Sequence, residues 1–329
     1  MKFRYFLTFL LAAMLIVAPS CSGIDLPNDN QSEFPQPNPG PEIPDQPNPE
    51  IPDQPNPEIP DQPDPETPEP GLSTAVTYDF SGQNCGYCPV LIRSLQDAQN
   101  RYPGHYIIVT LHPDPDYSPQ LFNQEAQIYQ SYMIEQHTIH PGFPNNIFNS
   151  LGSYMEPLPV DQLIAQPSIL AIETTVNGHQ LPLANQNNPD YQTNPDHQKV
   201  SSENMTSNGG EKLKINVSTA ICKGQQHRIA NREFDILLWI TENDVIAFQT
   251  DNGHTGGYDY YFHHSHLFRG TLNGIWGAKH IPGTSYSHTA TVPANVDIAK
   301  SQLVVLILDT KTKETIAAAE YSLSGLTAK

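Results

Sequence analysis

The sequence predicts two folded regions of different class, an α/β domain and then an all-β antiparallel sandwich, carried behind an N-terminal signal and a long proline-rich stalk. Three observations lead there. The chain opens with Lys2 and Arg4 followed by an apolar run. Residues 22–71 hold 16 of the 32 prolines. The remaining 258 residues change near residue 166, from strands alternating with helices to short strands alone.

The apolar run at 6–17 is about 12 residues, whereas a bilayer-spanning helix needs about 20. With its basic start it predicts a signal peptide at 1–20. It ends in Ala18-Pro19-Ser20-Cys21, small residues leading into cysteine, as in the lipobox of bacterial lipoproteins but without the usual Leu. Cys21 is the expected lipid anchor, and several acyl chains on one cysteine give stable membrane attachment. Ordinary secretion with cleavage nearby is the alternative.

Residues 21–71 are expected to be a disordered stalk. They carry 12 acidic residues and no Lys or Arg, and the unit PEIPDQPN occurs at 41–48 and 49–56, then as PEIPDQPD at 57–64. So few apolar side chains cannot offset the entropy of ordering, and proline removes backbone donors. An extended polyproline-like chain stiffened by like charges follows, reaching on the order of 150 Å at ~3.1 Å per residue. Of the net charge of −19, residues 72–329 carry 14 Lys and Arg against 23 Asp and Glu. A folded part this acidic predicts no nucleic-acid partner.

The α/β region is expected at 72–166. The β-branched and aromatic run at 73–80 reads as a buried strand. It leads into Cys85-Gly-Tyr-Cys88-Pro89, and then into a helix with apolar Val90, Leu91, Leu95 and Ala98 at helical spacing. Pro89 in the first turn costs nothing, because its missing N–H would have no partner there. A strand at 105–113, a helix across 119–136 and a strand at 143–149 complete the series. A lone Cys-x-x-Cys is also half of a zinc site, but no second pair or nearby Cys–His set completes one.

This order resembles thioredoxin-like proteins. The resemblance implies a buried acid at Asp79, six residues before Cys85, moving protons for the inner cysteine, and a cis-proline at Pro144 facing the disulfide. At a helix start, free N–H groups and the helix dipole stabilise a thiolate. Cys85 is therefore expected to be the exposed attacking thiol and Cys88 the shielded resolving one. The Gly-Tyr between them differs from the Gly-Pro of thioredoxin.

Residues 167–329 are expected to form the sandwich, with a long polar loop at 177–211. Strands are predicted at 168–176, 212–220, 234–241, 259–268, 285–292, 302–309 and 314–323, and tight connections at 241–245 and 309–315. His264 and His266 would share one strand face with Phe262 and Phe268. Such a His-x-His pair either binds zinc, with His254, Asp259 or His280 as a third ligand, or packs across strands; packing is the reading adopted, with no metal and no cofactor. Cys222 is expected to be a buried thiol. Trp239 and Trp276 are expected in the core. Tyr258, Tyr260 and Tyr261 form a candidate exposed aromatic patch.

The stretches FSGQNCGYCP, GFPNNIFN, ITENDVIAFQ and YYFHHSHLFRGTLNGIWG are similar to the 28-kilodalton outer-membrane protein family of Bacteroidetes. That resemblance implies an outer-membrane location without a settled activity. Two functions are carried forward. One is a tethered thiol–disulfide oxidoreductase acting on a protein disulfide. The other is a surface binding or adhesion lipoprotein whose disulfide is structural.

Overall fold

The computed structural model describes residues 67–136, 139–150, 160–184 and 210–326. The signal region, Cys21, nearly all of the stalk and most of the polar loop (185–209) lie outside the described residues.

The first part runs β1 (Ala75–Phe80), α1 (Cys88–Arg101), β2 (Tyr106–Leu111), α2 (Gln124–Glu135), β3 (Asn145–Phe148) and α3 (Val160–Ile164). β1 and β2 pair in parallel, and β3 runs antiparallel to β1. Cys88 is the first helical residue of α1 and Pro89 follows in the same turn. That phase puts Cys88, Ile92, Leu95, Ala98 and Gln99 on the buried stripe and leaves Val90 exposed. Val90 lies two residues, about 200° of helix, beyond Cys88. α2 starts at Gln124 rather than 119, because the Asn123 side chain caps it by accepting from the Ala126 amide. Asp114 fastens the preceding turn, its Oδ1 accepting from the Asp116 and Tyr117 amides.

The second part contains β4 (Leu170–Val176), β5 (His179–Gln180), β6 (Lys212–Ile221), α4 (Gln226–Ile229), β7 (Phe234–Glu242), β8 (Val245–Thr250) and β9 (Tyr258–His264). It continues with β10 (Leu267–Thr271), β11 (Ala278–His280), β12 (Ser285–Thr291), β13 (Ser301–Asp309) and β14 (Thr315–Ser322). The described fold is thus mostly β, with few helices and several sheets.

The largest sheet has the order β14-β13-β7-β10-β2-β1-β3, with β11 also on β7. It crosses the boundary expected at 166/167: β10 adds to β2 in parallel, and the Thr110 amide donates to the His266 carbonyl at 2.8 Å. Residues on both sides of that boundary fall in one compact unit, Asp61–Lys329. The physical reason is the edge of β2, whose open backbone groups need a partner strand.

Period-2 alternation sorts the core. Val76, Tyr78 and Phe80 of β1, Ile107 and Val109 of β2, Leu237 and Trp239 of β7, and Val304 and Leu306 of β13 share one cluster with Ala126, Tyr129 and Met133 of α2. The alternate residues Ile236, Leu238 and Ile240 of β7 and Leu303, Val305 and Ile307 of β13 pack instead against Leu213, Ile215 and Val217 of β6. β6 lies in a second sheet of order β12-β6-β4-β5, so the sandwich exists, but one of its layers is the end of the large sheet. Ala75, Ile108 and Phe148 meet Ile92, Leu95 and Ala98 of α1 and Val160 and Ile164 of α3. Each large apolar side chain so buried stabilises by roughly 1.5–3 kcal/mol.

Residues 309–315 join β13 and β14 as a hairpin, as predicted. Residues 241–245 do not form one, because β7 belongs to the large sheet while β8 pairs with β9 in a sheet of two. Asp244 takes a positive φ of 58° where the chain leaves β7. Among the described residues no helix is long and apolar enough to cross a membrane.

Candidate functional site

The loop that follows β1 brings Cys85 and Cys88 together as a disulfide, with Cα atoms 5.5 Å apart, at the start of α1. Cys88 is 1% exposed, as expected for the inner position, but Cys85 is only 6% exposed where an exposed thiol was expected. The loop that carries Cys85 is held from far along the chain. The Gln249 carboxamide, itself buried, donates from Nε2 to the carbonyls of Gly82 at 3.0 Å and Cys85 at 3.1 Å. The Thr250 amide donates to the Gln83 carbonyl and the Asn252 amide to the Gly86 carbonyl, at 2.7 and 2.9 Å. Gly86 also leaves room for the Asn252 side chain, since a Cβ there would lie 2.4 Å from its Oδ1. A two-pronged ion pair closes the contact: Arg93 of α1 donates to both carboxylate oxygens of Asp251, at 2.8 and 3.1 Å. The pair holds the Asp251 carboxyl below its ordinary range.

From the other side Gln83, fully buried, works as a hub. Its Oε1 accepts from the Gln120 and Leu121 amides, and its Nε2 donates to the Phe248 carbonyl. The backbone carbonyls of the cysteine loop are therefore held by the single segment 249–252, while the Gln83 side chain ties the loop to residues 120, 121 and 248.

Asp79 is completely buried on β1, directly opposite Thr110 of β2. Neither carboxylate oxygen has a hydrogen-bond partner. Desolvation pushes its pKa up to about 7; the Thr110 hydroxyl across the strand pair opposes this weakly and stops short of a formed bond. A carboxyl that titrates near neutrality can give and take protons at ordinary pH, which an exposed Asp cannot. The Phe143–Pro144 peptide bond, just before β3, is cis.

The histidine pair does not share a strand face. His264 ends β9, and His266, with φ of 56°, sits in the break before β10, so the strand predicted at 259–268 is two strands. His280 is placed elsewhere, its Nε2 2.9 Å from the Thr219 hydroxyl. Among the described residues no three His, Cys, Asp or Glu side chains are grouped to hold a metal ion. Burial pushes the pKa values of His264 and His266 down to about 4 and that of His112 well below its ordinary value.

Cys222 is a buried free thiol, 3.6 Å from the Ser168 hydroxyl. Trp239 is fully buried, and Trp276 is partly buried against the same cluster. Tyr258, Tyr260 and Tyr261 are exposed, and the first two rings lie 6.4 and 5.6 Å from Phe248.

Gln249, Thr250, Asp251 and Asn252 were not foreseen. Two of them act through backbone amides, which leave no residue signature, and all are more than 150 residues from the cysteines.

The geometry defines a class: a Cys-x-x-Cys disulfide at a helix start, next to a mixed sheet, with a buried acid on the strand that leads into the cysteine loop. No family model and no curated protein matches the chain. Among solved structures, the fold is similar to HBP35 of Porphyromonas gingivalis, at 12% identity over 77% of this chain and 76% of that one, with a TM-score of 0.50. Two further matches are looser. A domain of the outer membrane lipoprotein Omp28 from Porphyromonas gingivalis gives 14% identity over 47% of this chain and 88% of that one, with a TM-score of 0.27. A protein of Agrobacterium tumefaciens gives 13% identity over 76% and 94%, with a TM-score of 0.41. At such identities the likeness is one of fold.

Proposed function

We propose that this chain is an outer-membrane-anchored lipoprotein whose thioredoxin-like portion exchanges thiols and disulfides through Cys85 and Cys88. The observation that carries the reading is Asp79, a buried carboxyl poised near neutrality on the strand that leads into the cysteine loop. A purely structural disulfide has no use for such a group, and keeping it costs stability. Cys85 would attack a protein disulfide, Cys88 would resolve the mixed disulfide, and Asp79 would take the Cys88 proton. Pro144, cis and next to β3, fits the substrate-facing position that the thioredoxin resemblance implies. No nucleic-acid partner is proposed for so acidic a chain.

The reduction potential of the pair tests this directly. It is expected above about −300 mV, in the range of exchanging dithiols; a value well below that marks a disulfide that cellular thiols leave alone. A specific observation favours the second reading, a surface-binding lipoprotein. Both cysteines are buried and their loop is pinned by distant segments, while Tyr258, Tyr260 and Tyr261 stand exposed.

Anchoring is proposed at Cys21, with the family placement and the outer-membrane location. Cys21→Ser should abolish incorporation of labelled palmitate and shift the protein into the soluble fraction. Undiminished labelling would put the lipid on another residue.

A further inference from the structure

Beside Cys88, the inner cysteine, lies a small, partly open cavity of about 50 Å³, with Arg93 and His263 at its solvent side. Its lining includes Cys88 and Pro89 from the start of α1, Thr110 of β2, Gln249 of β8 and His264 of β9. One wall is thus supplied by the hairpin β8–β9, more than 150 residues from the cysteines. His264 is 5% exposed, and its Nε2 has no hydrogen-bond partner. The backbone carbonyls of Phe248 and Ala247 lie near the imidazole and oppose the loss of its proton, while the unpartnered Nε2 is the ring nitrogen left for a further partner. The His112 ring stands edge-on to it at 5.7 Å, with Nδ1 on the Ser118 hydroxyl at 2.8 Å. Thr110, on the same cavity, faces Asp79 across the strand pair.

An unpartnered ring nitrogen, a hydroxyl and a cysteine around a space of this size make a water site, because a buried water needs two to four polar partners and little more than its own volume. We propose that His264 is a positioning residue of the Cys85–Cys88 centre, holding through Nε2 the water that carries the Cys88 proton toward Asp79. This rests on the exchange reading above. The Cys88 thiol gives its proton to the water, which passes one to the Asp79 carboxylate. The Cys88 thiolate attacks Cys85 Sγ of the mixed disulfide; the bond from Cys85 to the partner sulfur breaks, the Cys85–Cys88 bond forms, and the partner leaves as a thiolate. Cys88 is oxidised and the partner sulfur reduced. His264 does not keep the proton. Burial holds its imidazole neutral, the pKa pushed down to about 4, whereas the Asp79 carboxyl is the stronger base.

One experiment separates this from the exchange reading. The reduced full-length protein is mixed with an aromatic disulfide whose released thiolate is coloured. The first equivalent released reports capture at Cys85, and the second reports resolution by Cys88. His264→Leu should leave capture within about twofold and slow resolution by about tenfold to a hundredfold, the range for losing a positioned proton-transfer contact. The pH midpoint of resolution should stay with Asp79. His264→Gln, whose carbonyl oxygen can accept from the same water, should recover most of the rate. Thr110→Val, on the other side of the cavity, should slow resolution in the same way and serves if the Leu variant does not fold. Resolution at the wild-type rate in His264→Leu, or, where that variant does not fold, in Thr110→Val, overturns the proposal, as does a Gln variant as slow as Leu. Absence of capture in the wild type would instead sink the exchange reading itself.

Discussion

Replacing Asp79 with asparagine is expected to stabilise the oxidised protein at pH 8 by about 2–4 kcal/mol, while crippling resolution. The sign follows from linkage. Burial lifts the folded-state pKa to about 7, against an ordinary value of 3.8. A raised carboxyl pKa favours the folded state fully below the unfolded value near 4, and that contribution is lost as pH rises through 7. A gap of about three units corresponds to roughly 4 kcal/mol, the upper end of the expected range. Wild-type stability should therefore fall between pH 4 and pH 7 and level off above. A carboxamide at this position has no proton to release, so the variant's curve should lack that fall, and urea melts from pH 4 to pH 8 measure the difference. Parallel curves for the two proteins would mean that the carboxyl is solvated and titrates normally. On the functional side, losing a general base costs typically 10²–10⁴-fold in the proton-transfer step. A substitution that strengthens the fold and removes activity is the pattern expected of a group retained for chemistry.

How far the site was legible in the sequence depends on how local its parts are. β1, α1 and β2 follow from short-range patterns, and Asp79, Cys85 and Cys88 lie within ten residues of each other on β1, the loop after it and the start of α1. The start of α2 was missed because Asp114 organises a turn through 114–122 that imitates a helical beginning. The break at His266 was missed for a different reason. That residue donates its amide to Asn243 Oδ1 and offers its carbonyl to the Thr110 amide, at 2.7 and 2.8 Å, so its conformation is dictated by where β10 must enter the large sheet. Nothing in YFHHSHLF encodes that entry. The same tertiary demand carries one sheet across residues 166/167: β2 and β10 look like ordinary strands of two separate sheets until they pair. The carbonyl clamps on the cysteine loop are less legible still. The backbone amides of Thr250 and Asn252 could belong to any residue.

That clamp bears on the second large effect expected, which concerns the cysteines. In the proposed exchange, Cys88→Ser should accumulate mixed disulfides with partner proteins, visible as higher-mass bands that vanish on reduction. Cys85→Ser should accumulate almost none. The asymmetry has two physical sources. Cys85 lies before the first turn of α1, on the side where the N–H groups and the positive end of the helix dipole favour a thiolate; Cys88 is the first helical residue and faces the core. Cys85 also retains the little exposure the pair has, 6% against 1%. Gln249 and the Asn252 amide hold the backbone rather than the sulfur, so the loop is fixed in position while a partner's disulfide approaches Cys85 from outside. Rates of alkylation in the two single-cysteine variants measure the same difference without a partner. Cys85 alone should react at least about tenfold faster than Cys88 alone, as expected for a thiol at a helix N-terminus against a buried one. Equal, slow alkylation of both variants, with no trapped partner, would make the pair a staple between β1 and α1. The exposed tyrosines of β9 would then be the better place to look for this protein's function.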